Sequence, residues 1–154
     1  MSNVVKRRIF VLLIVLTVIF IWGQSFLSQK QSGEESEAVR SFLEKIFIFE
    51  NPVTDFILKY IRKIAHFTEF GVLGLEMSLF TFFCTSFSLR DKAYLSIFGP
   101  VVAIIDETIQ KFTGRGSAFF DVMIDSAGYF ILVLITVLVC LIIKNSKKGN
   151  IKDV

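Results

Sequence analysis

The sequence predicts an all-α membrane protein with four transmembrane helices, both termini in the cytoplasm, and an outer loop carrying short amphipathic interfacial helices. Three observations predict it. The 154-residue chain is 53% hydrophobic and only 20% charged, with a mean hydropathy of +0.65, whereas soluble domains run nearer 25% charged. Its apolar residues are gathered into long runs, as bilayer-crossing segments require, within a length that suits one domain over residues 1–154. The bases collect at the proposed inner ends: residues 1–8, 88–93 and 144–154 hold 9 bases and 2 acids, the rest 8 bases and 12 acids. That asymmetry sets the orientation. The net charge of +3 is no footprint for nucleic acid, because no basic face interleaves with stacking aromatics.

Taken in order, Lys6, Arg7 and Arg8 precede an apolar run from Ile9 to Trp22. A signal peptide opens in the same way, but no small-residue cleavage site follows, and Trp22 suits an interfacial anchor. A first transmembrane helix is therefore expected over 9–26. Residues 27–62 read as the outer loop. Its first half is polar. Its second half has Val39, Phe42, Leu43 and Ile46, then Phe56, Ile57, Tyr60 and Ile61, at helical spacing on either side of Asn51-Pro52. Two short interfacial helices fit that pattern, serving either as a lid over the polar end or as a plain tether. The second transmembrane helix is expected over 64–87, where Gly71, Gly74 and Ser78 allow close approach of a neighbour. A short basic turn leads to the third, 94–110, and the fourth spans 122–143. Cys84 and Cys140 lie in different apolar runs without a CxxC or Cys/His pattern, which speaks against zinc held by thiolates.

The chemistry concentrates in the stretch from Asp106 to Asp125. Ionised groups beside hydrocarbon cost several kcal/mol each unless paired, so such a knot reads first as a functional site. The topology brings His66 and Glu69, at the outer start of the second helix, to the depth of Asp106, Glu107 and Gln110. Arg115 in the following loop, and Asp121 and Asp125 opening the fourth helix, join them. Helix 1 offers Gln24 and Ser25 there. One Arg and one His cannot neutralise five carboxylates, so protonation, water, metal or ligand is expected to complete the set. Glu76 stands alone and deeper, where protonation suits it.

At this point the motifs resemble those of the VanZ-like family: RKIAHFTEFGVLG at Arg62–Gly74, DETIQ at Asp106–Gln110, and Gly114-Arg115 followed by DVMIDSAGYF at Asp121–Phe130. GQSFLSQKQSGEES at Gly23–Ser36 is similar to the motif that follows the first helix in that family. The resemblance implies a small bacterial plasma-membrane protein, linked in some members to resistance against glycopeptides such as teicoplanin. It does not imply a mechanism. This chain departs from the pattern at Ile109, where many members carry His, and in a loop before Gly114 that is one residue shorter and lacks the usual Pro.

Two classes of function follow. In one, the knot binds or shields a lipid-linked or cell-wall component, or alters glycopeptide access, without turnover. Gln110, Arg115 and Asp125 would then be binding residues. In the other, the protein is a membrane-embedded enzyme. His66 would act as acid or base, Glu69 or Asp106 would orient it, Glu107 and Asp121 would complete the catalytic set, and Arg115 would hold phosphate or carboxylate. One imidazole with several carboxylates could also take a divalent metal ion. The plain alternative is that the knot only ties helices together.

Overall fold

A computed structural model describes residues 3–27, 52–114 and 119–149, together with 31, 33, 34, 37–39, 41 and 42. Four long helices organise them: α1 (Asn3–Ser25), α2 (Pro52–Cys84), α3 (Leu89–Phe112) and α4 (Phe119–Gly149). The described residues between 31 and 42 are also helical, and no strand occurs among the described residues. Arg115, most of 27–51 and the tail from residue 150 lie outside the described residues.

Each helix buries a stripe at helical spacing and exposes the rest. In α1 the buried stripe is Ile14, Ile21 and Ser25. In α3 it runs Leu95, Gly99, Val102, Ala103, Asp106, Glu107 and Gln110, so apolar at one end and polar at the other. Phe70, Leu73 and Met77 of α2 and Tyr129 of α4 complete the core. The packing is closest between α2 and α4, with α1 on α2 and α3 reaching all three.

The α2–α4 crossing is made by glycines used reciprocally. A Cβ at Gly128 would overlap the Phe67 carbonyl oxygen, and one at Gly74 would overlap that of Tyr129. Backbone therefore meets backbone on both sides. Tyr129 then lays its ring over Gly99 of α3, where a Cβ would strike the ring carbons, and its hydroxyl donates to the Leu95 carbonyl oxygen at 2.7 Å. That anchor lies next to Pro100, which lacks an N–H and interrupts the α3 ladder.

The helices run beyond several of the expected bounds, with α3 beginning at Leu89 and α4 spanning Phe119–Gly149; the start of α2 matters most for the site. Residues 52–59 form a short helix, as the helical spacing after Asn51-Pro52 suggests, and the second long helix follows it across a kink at Tyr60. Pro52 opens the short helix, where its missing N–H costs nothing, and the non-helical Tyr60 (φ −110°, ψ 15°) marks the kink between the two helices that α2 comprises. The α2–α3 turn holds Phe87 in the left-handed region at φ 53°. Ser88 then caps α3 in a reciprocal box with Asp91. Those hydrogen bonds, from the Ser88 hydroxyl first and then its N–H, hold the Asp91 carboxyl below its ordinary pKa. Gly114, at φ 74°, turns the chain out of α3.

Two stretches, Lys59–Cys84 and Phe119–Asn145, are long and apolar enough to cross a membrane. Apolar exposure extends well beyond them: Leu12, Leu16, Ile19 and Phe20 on α1, and Ile97, Val101 and Ile104 on α3, are all exposed. Contiguous apolar surface of this extent suits lipid rather than water.

Candidate functional site

The end of the bundle formed by the C-terminus of α1, the first turns of α2, the end of α3 and the start of α4 carries the polar side chains. Asp106 is its most enclosed member, fully buried. Ser25 Oγ donates to Asp106 Oδ1 at 2.6 Å, and Gln110 Nε2 donates to Oδ2 at 2.7 Å. Gln110 is held in turn, since Arg62 Nη2 donates to its Oε1 at 2.9 Å. The amide thus links a guanidinium to a buried carboxylate it does not touch.

His66 leans over the same carboxylate from α2. Its Nδ1 lies 3.8 Å from Asp106 Oδ2 and 3.9 Å from Asp125 Oδ1. Asp125 is buried, and its Oδ2 accepts no hydrogen bond from the described residues. Asp106, Glu107, Asp121 and Glu69 all act electrostatically on it. At the rim, Lys63 Nζ pairs with Asp121 Oδ1 at 2.8 Å, with the two side chains 47% and 28% exposed, so water and salt screen this pair strongly.

A cavity of about 260 Å³ opens above these groups. Lys59, Arg62, Lys63 and His66 form its α2 wall, with Glu107 and Gln110 opposite and Asp121, Ile124 and Asp125 on the α4 side. The bases stand on the half-exposed and exposed turns, while Glu107, Gln110 and Asp125 are buried. Positive charge therefore lies toward the mouth and acid toward the floor.

Of the residues singled out in the sequence, His66, Glu107, Gln110, Asp121 and Asp125 line this cavity, and Asp106 sits beneath it. Glu69 is placed differently. It lines a second, largely apolar cavity with Leu16, Thr17, Phe20 and Val72. Glu76 also belongs to the α1 side, where Thr17 Oγ1 donates to its Oε1 at 3.1 Å. Arg115 lies outside the described residues.

The sequence reading missed Lys59, Arg62 and Lys63, and its charge balance of one Arg and one His against five carboxylates is corrected by them. A signal was present. Arg62 and Lys63 lie four and three residues before His66, on its helical face, and Lys59 stands just across the Tyr60 kink. The expected second transmembrane helix begins at residue 64, which assigns the three bases to the outer loop and its interfacial helices.

Fold and site together define a small helical membrane protein in which a half-buried imidazole meets buried carboxylates beneath an end cavity. The chain belongs to the VanZ/LLP1 family, whose model matches residues 9–142, in agreement with the resemblance carried by its motifs. Searches of the curated proteins and of the solved structures returned no significant match.

Proposed function

We propose that the protein is a four-pass membrane protein of VanZ type whose end cavity faces the outside of a bacterial cell and binds an anionic envelope component. The observation that carries this reading is the segregated charge of the cavity: three bases of α2 line the wall above a buried polar floor. A headgroup bearing phosphate or carboxylate would meet Lys59, Arg62 and Lys63 first, and Arg62 offers a planar fork for two of its oxygens. Orientation is supported by the opposite end of the bundle. Lys92 and Lys144 lie there over the rings of Phe87 and Phe82, at 5.0 and 5.9 Å from the ring centroids, and the bases of the N-terminus and the tail belong to the same side. Occupying or shielding an envelope component in this way would lower the access of glycopeptides of the teicoplanin type, the association that the family suggests.

The test is expression in a glycopeptide-susceptible bacterium. The wild-type protein is expected to raise the teicoplanin concentration needed to stop growth several-fold. A double Arg62→Gln, Lys63→Gln variant is expected to lose that effect while accumulating normally in the membrane. Unchanged susceptibility with abundant wild-type protein would refute the resistance role. Labelling of an Asp121→Cys variant only from the cytoplasmic side would refute the orientation.

A further inference from the structure

Three side chains from three helices converge at the floor of the cavity. The donor atoms of His66, Asp106 and Asp125 all lie within 4.8 Å of one another. We propose that these three residues hold a divalent metal ion of the Mn²⁺ or Zn²⁺ type, with its remaining coordination positions open to the cavity. The inference goes beyond the binding role given to the cavity above and does not depend on what enters its mouth.

The separations come first. His66 Nδ1 stands 3.8 Å from Asp106 Oδ2 and 3.9 Å from Asp125 Oδ1. Both are too long for hydrogen bonds. They suit donors that share an ion, because ligands each about 2.1 Å from a metal stand roughly 3 to 4 Å apart. Movements of a fraction of an ångström would close the shell.

Charge points the same way. The Asp106 and Asp125 side chains are 0% and 2% exposed, so two carboxylates share a water-poor site, where each disfavours ionisation of the other. Of the described bases in the cavity wall, Lys63 pairs with Asp121 and Arg62 bonds to Gln110. A divalent ion beside a neutral imidazole would cancel the two negative charges.

The third observation is an orphaned atom. Asp125 Oδ2 is buried and accepts no hydrogen bond from the described residues, a state that folded proteins seldom leave unexplained. Asp106, by contrast, is braced on both oxygens by Ser25 and Gln110. Such outer partners are what hold a ligating carboxylate in position.

The donor set selects the ion. One imidazole with two carboxylates and no thiolate disfavours copper(I), and the nitrogen donor disfavours Mg²⁺ and Ca²⁺, which prefer oxygen throughout. Mn²⁺ and Zn²⁺ accept both donor types. The cavity of about 260 Å³ above the site leaves room for water or an anionic oxygen on the open positions.

The experiment uses the full chain in a neutral detergent, stripped with chelator and titrated separately with MnCl₂, ZnCl₂ and MgCl₂ by calorimetry. One Mn²⁺ or Zn²⁺ per chain is expected, with Mg²⁺ at least tenfold weaker. Asp125→Asn and His66→Gln should each weaken binding tenfold or more, and Glu76→Gln should not. The metal should also raise the unfolding temperature of the wild type and leave that of Asp125→Asn unmoved. If Asp125→Asn fails to fold, His66→Gln, at a partly exposed position, carries the comparison. Absence of saturable binding, wild-type affinity in either ligand variant, or Mg²⁺ binding as tight as Mn²⁺ would overturn the site. Because no envelope ligand is present, the result is independent of the resistance assay.

Discussion

Replacing Gly128 with Ala should weaken the fold more than any other single methyl addition in α4. The new Cβ would overlap the carbonyl oxygen of Phe67 and stand 3.0 Å from its carbonyl carbon and 3.1 Å from its Cα. Ordinary contact begins at 3.4 Å, so the carbon alone requires a retreat of 0.4 Å (3.4 minus 3.0), and the oxygen requires more. All three atoms are backbone. None can rotate aside, and α4 must move away from α2 as a body. Overpacking of this kind costs about 1–3 kcal/mol, and rigid partners place it at the upper end. About 3 kcal/mol is roughly a hundredfold in the folded population. The displacement also reaches the site, since Asp125 sits one turn before Gly128 and His66 adjoins Phe67. Their 3.9 Å separation should lengthen. Thermal unfolding in detergent, followed by circular dichroism, reads the first effect. Gly23→Ala is the matched control: no described residue lies within 4 Å of a Cβ there, so the gain in helix propensity of up to about 1 kcal/mol should show as stabilisation. A Gly128→Ala protein as stable as the wild type would refute the close-packed crossing.

Other expectations follow from single contacts. Asp106→Asn would turn an amide N–H₂ toward one of two hydrogen-bond donors, Ser25 or Gln110, and should cost about 1–3 kcal/mol in unfolding experiments; an unchanged melting curve would show that those bonds are not formed. Tyr129→Phe should remove the bond to Leu95 and lower stability by about 1 kcal/mol, while keeping the ring over Gly99. Lys63→Gln should leave stability nearly unchanged, because exposed pairs contribute little, yet weaken binding of anionic headgroups in a vesicle flotation assay. The Asp91 cap carries a pH signature. Its lowered pKa means that the cap is fully present above the ordinary carboxylate range and is lost as pH falls through the lowered value, so Ser88→Ala should remove an acid-sensitive part of stability measured below about pH 4.

Much of the fold was legible because each helix carries its burial pattern in the open. The α3 stripe from Gly99 to Gln110 needed only a period of 3.6. The helix start after Asn51-Pro52 was legible, but the kink at Tyr60 that joins this short helix to the next has no proline or glycine to mark it. That junction had a consequence at the site. The acids were conspicuous, since carboxylates amid hydrocarbon demand explanation. Lys59, Arg62 and Lys63 were not, since bases at the edge of an apolar run look like ordinary interfacial residues. Only the packing of these turns, on either side of the Tyr60 kink, against the ends of α3 and α4 makes them a cavity wall. The division between Asp125, which faces His66, and Glu69, which lines the α1 side, depends on helix rotation, and spacing alone leaves both choices open.

The bracing of Asp106 has a consequence for biogenesis. Its two donors, Ser25 and Gln110, come from α1 and α3, so this carboxylate can be fully hydrogen-bonded before the ribosome has made α4. Asp125 and the glycine that locks it against Phe67 arrive last. A nascent chain stopped short of α4 would therefore keep a satisfied Asp106 but display the bare small-residue face of α2.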